Sequence, residues 1–341
     1  MLRSASHFEG LVASGSLIDH ALQHTTAWSL LVRTSPLHER FGVEVHDVDL
    51  RDVTSGQGYP KIRELFEHHS LLLFRDQEMS EDLHTNFALL FGPMEDRTAD
   101  AEKSTPRERP PIPSLTNKTQ EGDGLDDEDS INVLNLQGNQ AWHTDSTFLH
   151  TPALANIITA FVVPSSGGET ELATTRAPLD DMPHRLRQMA EEAVFFHSLL
   201  PSRIRIDKRL LDLPQVNRHQ SQAWRAVWPN PVVQRDALYI ARHVYGVRGM
   251  SQGEGEAFVQ ELLDFCTRPG YRYAHAWRPG DVLVWDERAT VHRGRPWPYA
   301  EERTLASCCV SARAIDGLDD VRPPDGPIRD DERFTYNGVA A

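Results

Sequence analysis

Cysteine is scarce. The chain has three in 341 residues, Cys266, Cys308 and Cys309, and no two stand at the spacing of a zinc site, which argues against a cysteine-ligated metal. Cys308 and Cys309 are neighbours in a run that reads as a strand, so they should point to opposite faces and act as small buried hydrophobes. Long apolar runs are missing as well: no segment approaches the roughly 18 uninterrupted apolar residues of a membrane span. Basic residues are outnumbered, 35 Lys and Arg against 50 Asp and Glu, a formal charge of −15. That balance disfavours the phosphate-neutralising surface that nucleic acid requires, and anionic membranes equally. The opening MLRSASHFEGLVASGSLIDH lacks the order of a secretory signal, and Glu9 and Asp19 speak against an acid-poor transit peptide. No internal repeat is present. The expectation is a cytoplasmic protein with a small-molecule partner, no nucleic acid and no membrane; homo-oligomerisation is left open.

What is present is a long alternation of extended and helical patterns. FGVEVHDVDL (41–50) alternates as a strand does. In YPKIRELFEHH the residues Ile62, Leu65, Phe66 and His69 share one helical stripe, with Pro60 near its start. SLLLF (70–74) has the length of a buried strand, and a second helix follows the N-cap candidate Ser80, turns Leu83, Phe87 and Leu90 inward and stops at Gly92. Residues 97–130 are turn-rich and acidic, reading as a mobile, lid-like loop at about 97–133. Beyond it LANIITAFVV, ETELATT, ALYIARHV, DVLVW and RTLASCCVSA read as strands. Two helices interrupt them, one after Pro183 with Leu186, Met189, Ala190 and Ala193 at helical spacing. The other opens with a capping-box pair, Ser251 and Glu254, and carries Val259, Leu262, Leu263 and Cys266. Strands without regular βαβ alternation predict a mostly β fold, antiparallel, with peripheral helices. The boundaries are an N-terminal extension at 1–35, a domain at 36–315 and a C-terminal tail at 316–341.

Within AWHTDSTFL, His143 and Asp145 are two apart and would share one face of an extended segment, where both can approach one ion. A third ligand is needed, and VLVWDERATVHRGRPW offers His292. Two histidines and one carboxylate on one side of a metal leave the opposite positions open, as in non-haem Fe(II) oxygenases. Arg303, in a strand-like run, can grip a carboxylate with its planar fork. A zinc hydrolase would want a glutamate base beside His143 or a helix-borne His-Glu-x-x-His, and neither is there.

These segments, with LLLFRDQEMS, FGPME and VVPSSGGETEL, give the chain a resemblance to the taurine/2,4-dichlorophenoxyacetate (TauD/TfdA) dioxygenases over roughly residues 36–313. The resemblance implies a double-stranded β-helix, or jelly-roll, core. It implies Fe(II) on His143, Asp145 and His292, with 2-oxoglutarate and O₂ as co-substrates and succinate and CO₂ released as a small organic substrate is hydroxylated. Arg303 and Thr170 would hold the distal carboxylate of 2-oxoglutarate, Asn139 would line the substrate pocket, and Trp285 would lie near the site or in the core. Retention of Asp145 favours hydroxylation over halogenation. Desaturation, epimerisation, oxidative cleavage, or a metal-binding jelly roll without turnover are the alternatives.

Two positions depart from the family pattern. Four residues beyond the co-substrate arginine, well-known members carry a second arginine that grips an anionic substrate; here residue 307 is Ser, which should face the pocket without bringing charge. A neutral substrate, or one anchored elsewhere, is expected, with Arg97, Arg242, His243 and Arg295 as other anchors and the acidic run 121–129 repelling anions if it closes over the site. Glu287 stands where the family has asparagine, at a position read as supporting the ligands or facing solvent.

Overall fold

The structure, a computed structural model, describes residues 32–217, 221–336 and 339–340. Most of the expected N-terminal extension (1–35) therefore lies outside the described residues. The strands are β1 (Arg33–Pro36), β2 (Val43–His46), β3 (Leu71–Phe74), β4 (Ser114–Thr116), β5 (Ala153–Val162), β6 (Thr170–Thr174), β7 (Val194–His197) and β8 (Gln222–Arg225). They continue as β9 (Val227–Trp228), β10 (Ala237–Leu238), β11 (Val244–Val247), β12 (Arg272–His275), β13 (Val282–Asp286), β14 (Thr290–Gly294) and β15 (Thr304–Ser311). Seven form one sheet in the order β1-β2-β3-β13-β5-β15-β4, and β12-β6-β14 form the sheet that faces it. Every pairing in these two sheets is antiparallel except β2 with β3.

The period of two in the strands decides what each sheet face touches. In LLLF every residue is buried, because Leu72 and Phe74 meet the helices Tyr59–His69 and Glu81–Phe91 through Ile62, Phe66, Phe87 and Phe91, while Leu71 and Leu73 turn the other way toward Leu172 of β6 and Trp285. A strand buried on both faces reads as a continuous apolar run. The outer face of the small sheet, Ala173 and Val291, packs on Phe258, Val259, Leu262 and Cys266 of the helix Gln252–Cys266, which carries the expected Ser251–Glu254 capping box. This is the expected jelly-roll core with its helices outside. Among the described residues no helix is long and apolar enough to cross a membrane.

Several expectations need correction. On the helix Tyr59–His69, His69 is only half-buried and Glu67, off the apolar stripe, is buried at 1% exposure, because it meets Arg63 one turn earlier and Arg288 from a distant segment. The segment 97–133 is not a structureless loop: it contains the helix Arg97–Glu102, strand β4 on the sheet edge against β15, and the start of the helix Ile131–Gln137, whose N-cap Ser130 accepts from the Val133 N–H. Within the expected tail 316–341, described residues pack on the domain. Asp316 is fully buried, its carbonyl accepts from Trp228 Nε1 at 3.0 Å, and Arg248 reaches Asp325 and Glu332.

Candidate active site

His143 does not lie in a strand. Its N–H and C=O pair with those of His292 on β14, at 2.9 and 2.8 Å, as an isolated antiparallel bridge, after which the chain turns through Ser146 at φ 59°. A directly opposed pair in such a bridge brings two side chains to the same face, and the imidazole rings stand 4.2 Å apart. Asp145 completes the group: its Oδ1 is 3.8 Å from His143 Nε2 and its Oδ2 3.7 Å from His292 Nε2. One ligand atom from each residue falls within 4.8 Å of the others, so all three can approach a single cation.

The surroundings set the protonation and orientation of these side chains. His143 Nδ1 is 2.7 Å from the Ala141 carbonyl, which can only accept, so the proton sits on Nδ1 and Nε2 is left with its lone pair. Burial lowers the pKa of His143, and takes His292 down to about 3, so both rings stay neutral. Burial opposes the charge on Asp145, but the Arg97 guanidinium and the hydrogen bond from Asn156 favour it, and the carboxyl pKa is lowered. Asn156 Nδ2 donates to Asp145 Oδ2 at 2.7 Å, and Ser307 Oγ donates in turn to Asn156 Oδ1 at 2.9 Å. Glu287 is fully buried rather than facing solvent. Its Oε2 accepts from the Asp145 N–H at 2.9 Å, its Oε1 accepts from Trp285 Nε1 at 2.6 Å, and Oε2 stands 3.9 Å from His292 Nδ1, which has no hydrogen-bond partner among the described residues.

The triad lies in a cleft of about 1180 Å³, mouth included, and Asn139, Thr170, Trp285, Arg303 and Ser307 line it as well. Arg303 is anchored by the turn before β6. Gly167 and Gly168 both have φ 73°, a conformation that costs glycine little, and the buried Gly168 carbonyl accepts from Arg303 Nε at 3.2 Å and Nη2 at 3.0 Å. The guanidinium lies over Trp297, 5.0 Å from the ring centre. Among the described residues no carboxylate comes within ion-pair distance of it, and burial lowers its pKa to about 10. Thr170 Oγ1 accepts from Trp277 Nε1 at 3.0 Å.

Other residues at the site escape sequence reasoning. Asn156 has a signal, as the one amide within the apolar run LANIITAFVV. Cys309, expected to be structural, points at the triad with its Sγ 3.7 Å from Asp145 Oδ2, while Cys308 faces the helix-side core, so the expected opposite faces are there. Of the four substrate-anchor candidates, Arg97 is paired with Glu95 at 3.3 Å, Arg295 and His243 line the cleft, and Arg242 does not. Arg203, from the short helix Leu199–Ile204, lines it too, and nothing in SRIRIDKR sets it apart.

Several known proteins are similar to this chain over most of its length. The sequence profile described as "Taurine catabolism dioxygenase TauD, TfdA family" matches residues 33–309. The alpha-ketoglutarate-dependent 2,4-dichlorophenoxyacetate dioxygenase of Cupriavidus pinatubonensis is 32% identical over 275 residues, 80% of this chain and 96% of that protein. The (S)-phenoxypropionate/alpha-ketoglutarate-dioxygenase of Sphingobium herbicidovorans is 28% identical, over 80% of this chain and 92% of its own. Among solved structures, AAD-2 in complex with Mn(II) and N-oxalylglycine superposes with a TM-score of 0.74 at 28% identity, covering 82% of this chain and 97% of that one.

Proposed function

This chain belongs to the TauD/TfdA family of taurine catabolism dioxygenases, and on that premise we propose that His143, Asp145 and His292 hold its iron, that Arg303 and Thr170 hold its 2-oxoglutarate, and that a small organic substrate is hydroxylated in the cleft beside them. The protein is an Fe(II)- and 2-oxoglutarate-dependent dioxygenase. The observation that carries the assignment of residues is the cluster itself, two neutral imidazoles and one ionised carboxylate with ligand atoms within 4.8 Å. That donor set suits a divalent first-row metal with open positions. When bound, Fe(II) supplies the redox chemistry that couples decarboxylation of 2-oxoglutarate by O₂, to succinate and CO₂, with oxidation of the substrate.

The chain's own part is positioning. Ala141 fixes the His143 tautomer, Asn156 and the Glu287 carboxyl group fix Asp145, and Trp285, whose ring centre is 4.8 Å from that of His292, closes one wall against water. Arg303 offers a desolvated fork to the far carboxylate of 2-oxoglutarate and Thr170 offers its hydroxyl beside it. Leu115, Leu136, Phe148, Ile158, Leu199 and Leu305 give the substrate an apolar wall. The relatives' aryloxyalkanoates make small aromatic acids the first compounds to try. The formal charge of −15 supports a small molecule over nucleic acid or an anionic membrane, and a cytoplasmic setting belongs to the same reading; Asn139 and Ser307 belong to the substrate pocket in it.

The test is to titrate Mn(II) calorimetrically into the purified protein and its His143→Ala and His292→Ala variants, then to assay succinate release with Fe(II) and 2-oxoglutarate. Loss of one ligand should weaken Mn(II) binding at least about a hundredfold and abolish succinate release, with little change in melting temperature. Normal metal affinity in either variant would remove that histidine from the ligand set.

A further inference from the structure

The cleft is positively charged in a protein of formal charge −15: Arg97, Arg203, Arg295 and Arg303 line it, and among the described residues Asp145 is its sole carboxylate. Arg97 is paired with Glu95, and Arg295 comes within 4.0 Å of Glu171. Arg303 belongs to the co-substrate in the reading above. Arg203 is left over. It is 8% exposed, yet among the described residues no carboxylate lies within ion-pair distance of it. It touches two neutral amide oxygens, Asn135 Oδ1 from Nε at 3.2 Å and Asn139 Oδ1 from Nη2 at 3.5 Å, and Nη1 finds no partner among the described residues.

The guanidinium is also held by shape. Gly138 packs flat against it, and a Cβ at that position would come within 2.5 Å of Nη1 and 2.6 Å of Cζ. Burial lowers the pKa of Arg203 to about 10, with Asp145 opposing that and Arg97 adding to it, so the cation sits within electrostatic reach of the triad. A buried cation is costly unless paired. One that lines a ligand cleft, clamped by a glycine and two amides and with no acid of the described residues in ion-pair reach, has the chemistry of an anion-binding group.

We propose that Arg203 is the anchor for a carboxylate on the substrate, taking over from the helix Leu199–Ile204 the task that β15 leaves undone at Ser307. Resting on the assignment of Arg303 to 2-oxoglutarate, this reverses the expectation of a neutral substrate. The acidic run 121–129 does not oppose it: those side chains are mostly exposed, and none lines the cleft. The substrate is a small monocarboxylate whose apolar or aromatic part lies against Leu136, Phe148 and Leu199, with its acid group on Arg203 and the intervening carbons toward the triad.

The test is calorimetric, on full-length protein loaded with Mn(II), with and without 2-oxoglutarate. Phenoxyacetate, 3-phenylpropanoate and cyclohexanecarboxylate are each compared with their primary amides, and phenylmethanesulfonate separates a carboxylate site from a sulfonate one. At least one acid should bind the unmodified protein about tenfold or more tighter than its amide, and Arg203→Gln should bring that ratio to within about twofold, while Arg203→Lys keeps part of it. Gly138→Ala, which keeps every charge but displaces the fork, should weaken acid binding and leave amide binding as it was. The proposal is overturned if no acid is preferred to its amide, if the preference survives in Arg203→Gln, if the sulfonate alone binds, or if Arg203→Gln weakens 2-oxoglutarate as much as the acid. Failure of the unmodified protein to bind 2-oxoglutarate would instead sink the assignment of Arg303, and an Arg203-dependent acid preference would survive that result.

Discussion

Two sets of buried arginines divide this molecule. Beneath the helix Tyr59–His69, Arg288 is 1% exposed and meets Asp286 Oδ1 and Glu67 Oε2, each at 2.8 Å, while Arg63 pairs with Glu67 and Asp316, both at 2.6 Å. In the cleft, Arg303 and Arg203 are almost as deeply buried, and among the described residues their side chains find only carbonyl and amide oxygens as hydrogen-bond partners. The pKa values of Arg288 and of the cleft pair differ, although that of Arg176, 3% exposed and 3.0 Å from Asp286, is also lowered by burial. For Arg288 burial alone would lower it, but Asp286 and Glu67 outweigh burial and raise it; for the cleft pair burial wins, to about 10 in each. A buried cation whose charge the chain answers is architecture, and one that it leaves unanswered is prepared for a ligand.

The largest expected effects come from exchanging one member of each set for an apolar side chain. Arg288→Met leaves Asp286 and Glu67 as buried charges with fewer cations, and breaking such pairs costs about 3–5 kcal/mol of stability, measured by urea unfolding. Arg303→Met should cost less, about 1–3 kcal/mol, because the fork that disappears had no ion partner among the described residues and leaves only the Gly168 carbonyl unsatisfied. It should instead raise the dissociation constant of 2-oxoglutarate about a hundredfold or more, the loss of two charge-assisted hydrogen bonds. Equal destabilisation by both variants would erase the distinction.

Acid sharpens the same contrast. Burial works against ionisation of Glu67, yet Arg288 and Arg63 bring its pKa down from the usual 4.5 to about 2. A folded-state pKa depressed in this way gives stability that is fully present above the unfolded value and lost as pH falls from about 4.5 toward 2. The amount is roughly 3 kcal/mol. Unfolding free energies measured between about pH 2.5 and 6 should therefore drop steeply at the acid end, and Glu67→Gln should lower stability at neutral pH while flattening that drop. An unchanged acid limb in Glu67→Gln would place the acid-sensitive group elsewhere.

The same division separates what is legible in the amino-acid sequence from what is not. The strands and helices are legible because apolar periodicity is local: LLLF, the Ser80 and Ser251 caps and the stripes at 62–66 and 259–266 carry their signals within a few residues. His143 and Asp145 are legible as a spacing of two, and His292 through the resemblance of the segment around it. The fate of a charged residue is not. Glu67 is buried because Arg288 reaches it from 221 positions away, and Arg203 lacks an acid because none of the described segments that converge on it brings one. Long-range pairing decides both outcomes, and neither leaves a mark in the local sequence. The acidic and turn-rich composition of 97–133 misleads for a related reason, since β4 exists only because the edge of β15 is there to pair with it.

The smallest effect belongs to the residue whose identity favours a neutral substrate on sequence grounds. Ser307 lines the cleft, but its hydroxyl is already spent on Asn156 Oδ1, and Asn156 holds Asp145 Oδ2. It thus resembles Arg288 more than Arg203: its polar group is answered within the chain, and its task is support. Ser307→Ala removes one hydrogen bond of about 0.5–1.5 kcal/mol and frees the Asn156 amide to turn away from the carboxylate. Mn(II) affinity should fall about two- to tenfold, because the ligand it steadies is two hydrogen bonds removed from the change. Stability should fall by a similar small energy, and the preference for acid over amide should stay as it was, since the anchor lies with Arg203 on the helix Leu199–Ile204 and not on β15. Calorimetry on Ser307→Ala beside Arg203→Gln reads all of this. A collapse of the acid preference in Ser307→Ala, with metal affinity intact, would make Ser307 a substrate contact and move the anchor back to β15.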